Sequence, residues 1–183
     1  FKPVWVEANT PWRNNAYDCA IDLRVDTRYK ARDKCLFTTA ETLVHCVHAS
    51  NAPVVSFFPS YNYAEKLRQL IDNEFPHLSV AIQQRGRTPE EQTRFIDDSI
   101  SEADLIFLIL GSGFAEGIDH LGGQVDLAVM VGPALPEVNA LQNKRMEDRK
   151  ILGRDVAFEE VYQIPGMQKI NQALGRLVRA PGQ

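Results

Sequence analysis

Residues 105–110 read Leu-Ile-Phe-Leu-Ile-Leu, apolar at every position. A strand with one wet face alternates apolar and polar residues, so an unbroken run needs cover on both faces. A parallel sheet with helices above and below supplies that cover. Val54–Phe58 is a second short, β-rich run, stopped by Pro59, and Leu78–Ile82 and Leu127–Val131 complete the set of expected strands. Helical spacing fills the intervals. Thr38–Ala49 repeats Leu43, Val44 and Val47, and Tyr61–Asn73 repeats Ala64, Leu67, Leu70 and Ile71. Thr88-Pro89-Glu90-Glu91 is a helix start: Thr88 caps, Pro89 suits the first turn, and Glu91 completes a capping box. Its apolar stripe is Phe95, Ile96 and Ile100. The stretch from Pro136 to Arg179 is expected to be mainly helical, broken near Gly153 and at Pro165-Gly166. Strands alternating with helices of this length specify an α/β fold with a mostly parallel central sheet.

A chain of 183 residues, 44% of them hydrophobic, accommodates one such domain with a substantial core. Residues 1–17, with Trp5, Trp12 and two prolines, read as an extended lead-in to a domain spanning 18–183. No run of about 18 apolar residues occurs, which argues against a membrane-spanning helix. The chain opens on Phe1, as expected of a piece of a longer protein. Cys19, Cys35 and Cys46 form no Cys-x-x-Cys pair, which points to a reducing, cytoplasmic setting and not to a disulfide framework or four-thiolate site. The net charge of −4 is unevenly spread: +2 over residues 1–37, −9 over 38–143 and +3 over 144–183. Basic flanks around an acidic middle permit local phosphate contacts.

Glycine marks the place where chemistry is expected. None occurs before Gly86, and six of the eleven lie from Gly111 to Gly132. Ligands of open α/β sheets gather outside the carboxyl ends of the strands. The segment Gly111-Ser-Gly-Phe-Ala-Glu-Gly-Ile-Asp119 follows the central strand there. Its glycines let backbone N–H groups approach an anion, and Glu116 and Asp119 add carboxylates able to orient an arginine or a nucleotide hydroxyl. The plainer reading is a turn with solvated acids. The spacing is not that of a dinucleotide fingerprint, and no P-loop with its lysine occurs in the chain.

The second feature is a helix near the end. At 100° per residue, Lys169, Gln172, Arg176 and Arg179 share a sector of about 80°, opposite Ile170, Leu174, Leu177 and Val178. Such a helix docks by its aliphatic side and offers a fixed cationic array. Arginines so held neutralise charge developing on a transferring phosphoryl group. A solvated basic face near a helix end is the alternative.

These residues resemble a known family. Gln172-x-x-Gly175-Arg176-x-x-Arg179 resembles motif VI of superfamily 2 helicases. Gly113-Phe-Ala-Glu116-Gly117-Ile-Asp119 resembles motif V of the XPD/DinG branch, and Phe57-Phe58-Pro59-Ser60-Tyr61 its motif IV. Asp26-Thr27-Arg28-Tyr29-Lys30-x-Arg32 is similar to the start of that branch's second motor domain. The resemblance implies a RecA-like three-layer sandwich, the C-terminal half of an ATP-dependent 5′→3′ DNA helicase that is inactive without its N-terminal half. It implies Arg176, Arg179 (the finger) and Gln172 as the catalytic set. Glu116, Gly117, Asp119 and Gly175 are implied on the nucleotide side, and Ser60, Tyr61 and Gly113 beside single-stranded DNA. The cofactors implied are ATP and Mg, the Mg ligands lying in the N-terminal motor domain; no metal site or iron–sulfur cluster is expected in this chain. The partners implied are single-stranded DNA and that other motor domain, in a bacterial cytoplasm or nucleoid. Members of the branch continue into a further strand after motif VI, so the domain is expected to be cut short at Gln183. A helicase-derived scaffold without motor function is the alternative.

Other residues have plainer readings. His45 and His48 stand three apart on a helix and read as packing or surface residues. Arg85 and Arg87, flanking Gly86 at a strand end, suit either a DNA backbone contact or plain solvation.

Overall fold

The computed structural model describes residues 18–112 and 121–177, apart from the side chain of Arg176. Six α-helices and four strands follow in order among these residues: α1 (Leu36–Ala49), β1 (Val54–Phe58), α2 (Tyr61–Glu74), β2 (Val80–Ile82), α3 (Pro89–Glu102), β3 (Leu105–Ile109), β4 (Ala128–Met130), α4 (Ala140–Asp148), α5 (Arg154–Phe158) and α6 (Ile164–Leu177). The described strands form one parallel sheet in the order β2-β3-β1-β4.

The unbroken run of β3 and the β1 run, interrupted only by the buried Ser56, occupy the two central positions. Leu105 to Leu108 of β3 and Val54, Val55, Phe57 and Phe58 of β1 are all buried to within 1%. Alternation along each strand sends side chains to opposite faces. One layer packs Val54, Phe58, Leu105 and Phe107 against Ala40 and Leu43 of α1 and Tyr63, Leu67 and Ile71 of α2. The other packs Val55, Phe57, Ile106 and Leu108 against Ile96 of α3 and Ala173 and Leu177 of α6. The result is the three-layer α/β/α sandwich that the runs require.

Local signals set most boundaries. Thr88 and Glu91 form the reciprocal capping box at the start of α3, with Pro89 in the first turn. Asn139 caps α4 through a bond from the Gln142 N–H of 2.9 Å. β2 starts two residues later than its apolar run. The Leu78 N–H closes a turn on the Phe75 carbonyl, and the Asp104 carboxylate accepts from both the N–H and the hydroxyl of Ser79. β4 keeps its ladder beyond its ends, since Val55 N–H donates to the Leu127 carbonyl and Val131 N–H to the Phe57 carbonyl.

The break expected at Pro165-Gly166 does not occur. A π-helical turn, Glu159–Gln163, joins α5 to α6 without interruption. Proline inside a regular helix lacks a donor and crowds the carbonyl four residues back. A widened turn just before it relieves that conflict, and Pro165 then sits in the first turn of α6, where proline is tolerated. Gly166 has its own reason: a Cβ there would lie 2.8 Å from Leu135 Cδ2. The break at Gly153 does occur, at φ +96°.

Gly132, just past β4, has φ +92°, and a Cβ added to it would lie 2.7 Å from Thr27 Oγ1. Replacement by alanine combines backbone strain with a clash, and should cost about 2 kcal/mol or more, roughly a 6 °C fall in Tm at this domain size. Gly153→Ala shares the positive φ but meets open space, so it should cost only about 1 kcal/mol. Thermal unfolding of the two variants tests this; equal melting temperatures would show that Thr27 does not press on Gly132.

Candidate functional site

All four strands are parallel, so their carboxyl ends open onto one edge. β1 delivers Ser60 and Tyr61 there, β2 delivers Gln83 to Arg87, β3 delivers Gly111 and Ser112, and β4 delivers Gly132 to Ala134. Ser60 is extended and caps α2, its hydroxyl accepting from the Tyr63 N–H at 3.4 Å. Tyr61 begins that helix half-buried, and the Arg85 guanidinium lies 4.6 Å from its ring centroid. Arg87 stands over Phe95 at 5.5 Å and donates to Gln84 Oε1. Both arginines therefore lie on aromatic surface. An open groove of about 740 Å³ runs along the outer side of β2, bounded by Tyr61, Asn62, Arg68, Gln84 and Arg85.

Buried at the centre of the edge is Gln83, 4% exposed. Its Oε1 accepts from the Ile109 N–H at 2.8 Å, and its Nε2 donates to Tyr61 Oη at 3.1 Å and to Ser112 Oγ at 2.8 Å. Three strand ends thus meet on one amide. Sequence reasoning missed this residue. Its signal was a glutamine directly after the short β2 run, at a position that alternation turns away from Val80 and Ile82.

Helix α6 packs on one face of the sheet and meets the same edge at Lys169. Its aliphatic side, with Ile170, Ala173, Leu174 and Leu177, packs on the sheet. Lys169, from the cationic sector, lays its stem against Gly111: a Cβ at Gly111, where φ is +74°, would lie 3.0 Å from Lys169 Cε. The Lys169 ammonium donates to the Ala134 carbonyl at 3.1 Å. One side chain of the cationic sector therefore touches the start of the Gly111–Asp119 bend and ties it to the end of β4. Gln172 is exposed, and a Cβ added at Gly175 would meet nothing within 4 Å, so no packing within the described residues requires that glycine. Arg176 belongs to α6, its side chain outside the description. Gly113, Glu116, Gly117, Asp119 and Arg179 lie outside the described residues, as does the lead-in 1–17.

Among the described residues no cluster of three or more His, Cys, Asp or Glu side chains suits a metal ion. The His48 ring lies parallel to that of His77, with 6.5 Å between centroids. No helix among the described residues is long and apolar enough to cross a membrane.

The segment carrying Thr27 is braced by local ion pairs. Asp22 accepts from Arg24 and from the Thr42 hydroxyl, and Asp26 accepts from the side chain and N–H of Arg28. The Asp26 carboxyl is held down at about 2, first by the Arg28 side chain and then by its N–H. A carboxyl whose folded value lies below its unfolded value stabilises the fold above the unfolded value, about 4, and loses that contribution as pH falls through the folded one. The difference in melting temperature between wild type and Asp26→Asn should therefore narrow from about pH 5 to about pH 2. A constant difference across that range would show that Asp26 acts by packing and not by charge.

With this geometry in view, comparison with known proteins is informative. Residues 43–182 match the family model of the helicase C-terminal domain, and the chain belongs to that family. The fold is that of XPD helicase structures. One, described as apo XPD, superposes with a TM-score of 0.65 at 22% identity, covering 83% of this chain and 31% of that one. Another, described as XPD helicase, gives a TM-score of 0.61 at 21% identity, covering 85% of this chain and 28% of that one. The chain thus spans about a third of the length of these relatives.

Proposed function

We propose that this chain is the second RecA-like motor domain of an ATP-dependent DNA helicase that moves 5′→3′ on single-stranded DNA in the cytoplasm. Nucleotide binds between this domain and an N-terminal partner domain, which supplies the phosphate-binding lysine and the Mg ligands. The observation that carries the reading is the contact of Lys169 with Gly111. It puts α6, the helix bearing Gln172, Gly175 and Arg176, against Gly111, from which the sequence runs on to Glu116, Gly117 and Asp119. In this reading Arg176 and Arg179 face the phosphates and neutralise charge on the transferring phosphoryl group, Arg179 as the finger. Gln172 lines the same cleft. Among the described residues a Cβ added at Gly175 would meet nothing within 4 Å, which supports a surface left for nucleotide or for the partner domain.

Single-stranded DNA runs past Ser60, Tyr61 and Gly113, and Glu116, Gly117 and Asp119 link that track to the nucleotide. The stacking of Arg85 on Tyr61 supports this, because a guanidinium held on an aromatic ring next to a helix start suits contact with a phosphate backbone. Half of a two-domain cleft leaves the isolated chain without turnover.

In the intact parent protein, Arg179→Ala or Arg176→Ala should lower ATP hydrolysis by about a thousand-fold, with single-strand affinity changed by less than about three-fold. Steady-state ATPase assays and fluorescence anisotropy on a short oligonucleotide measure the two quantities. A variant with near-normal turnover removes that arginine from the finger role, and appreciable hydrolysis by purified residues 1–183 would sink the half-motor reading.

A further inference from the structure

Gln83 is 4% exposed, and three protein groups on two other segments engage its amide: the Ile109 N–H and Ser112 hydroxyl at the end of β3, and the Tyr61 hydroxyl at the start of α2. Ser112 in turn donates to the Ile109 carbonyl at 2.7 Å. The orientation of the amide is fixed, because a flip would set its NH2 against the Ile109 N–H, donor against donor. To one side lies Tyr61, carrying Arg85 on its ring. To the other lies the Gly111–Ser112 corner, which Lys169 of α6 packs. Among the described residues no hydrogen bond joins Tyr61 directly to Gly111 or Ser112; the Gln83 amide bridges them.

We propose that Gln83 is a positioning residue that couples the nucleotide side of the domain to its single-strand side. The proposal rests on the helicase reading above. When the bend after β3 and the helix α6 shift with nucleotide state, Ser112 moves. The rigid amide then carries that displacement to Tyr61 and, through the stacked ring, to Arg85. A satisfied, largely buried polar network suits this task, because it has defined arrangements where apolar contacts would slide. Gln83 touches neither nucleotide nor DNA in this scheme.

The test uses the full-length parent protein, with ATP hydrolysis stimulated by oligothymidylate. Gln83→Met keeps the shape and removes every hydrogen bond. Gln83→Glu is the rescue variant: one oxygen still accepts from the Ile109 N–H, the Tyr61 hydroxyl turns to donate to the other, and the Ser112 hydroxyl joins it by giving up its bond to the Ile109 carbonyl. Gln83→Met should lower the DNA-stimulated kcat about ten-fold with KM for ATP changed less than about two-fold, and Gln83→Glu should recover most of the loss. Adding Ser112→Ala to Gln83→Met should lower kcat by less than Ser112→Ala alone does, since the Gln83–Ser112 bond is already gone. Should Gln83→Met fail to fold, Ser112→Ala alone reads the nucleotide-side arm, with a smaller fall in stimulated kcat expected. An unchanged stimulated kcat in Gln83→Met, or in Ser112→Ala if that variant must stand in, overturns the coupling role. So does a loss of kcat that tracks a fallen Tm and that Gln83→Glu does not restore. A wild-type parent without DNA-stimulated hydrolysis sinks the helicase reading and this inference with it, whereas a stimulated wild type with an equally active Gln83→Met sinks this inference alone.

Discussion

The fold depends on β3 being buried on both faces while paired on both edges. Leu105, Ile106, Phe107 and Leu108 exclude water toward α1 and α2 on one side and toward α3 and α6 on the other. Apolar burial of this kind is the main favourable contribution to folding, and in a close-packed interior it fixes position as well as energy. Register follows from it. Phe58 pairs with Ile109 and Ile82 with Phe107, so β1 and β3 end at one level and β2 ends two residues before it. Slipping any strand by one residue would turn its apolar set toward the wrong layer.

That alignment explains why the polar residues that matter are so few and so close. Where β2 leaves the sheet, the Ile109 N–H of β3 needs a partner; the Gln83 side-chain oxygen supplies it, while its amide nitrogen donates to the Ser112 and Tyr61 hydroxyls. Close approach of other segments is bought by glycine. Gly111 admits the Lys169 stem, Gly132 admits Thr27, and Gly166 admits Leu135. The first two also need positive φ, which L side chains adopt only with strain. The carboxyl edge is thus assembled from distant parts of the chain: the Thr27 segment, the ends of four strands and the flank of α6.

Much of this was legible in the residues. The runs 54–58 and 105–110 identified the central strands, because nothing else tolerates apolar side chains in both directions. Thr88 to Glu91 marked its helix start because a capping box satisfies two backbone donors locally. The Pro165-Gly166 signal misled, since proline predicts a break only where the neighbouring turn keeps regular geometry, and here a π-helical turn absorbs the conflict. At the site, helical spacing marked Lys169 on α6, and Lys169 lies against Gly111, the first glycine of the marked segment; Arg179 and the side chain of Arg176 lie outside the described residues. Gln83 escaped because its partners stand 22, 26 and 29 residues away, and no local pattern joins them.

By itself the sequence determined the class of fold, the strands that form its centre and the capping box that starts α3. Periodicity, caps and turns are short-range, and each acts through neighbours along the chain. Only the tertiary structure decided that α6 lies against Gly111, that Thr27 closes on Gly132 and that a single glutamine joins three strand ends. Those outcomes depend on which buried surfaces fit together, and shape complementarity between distant segments is not written in any one stretch of residues.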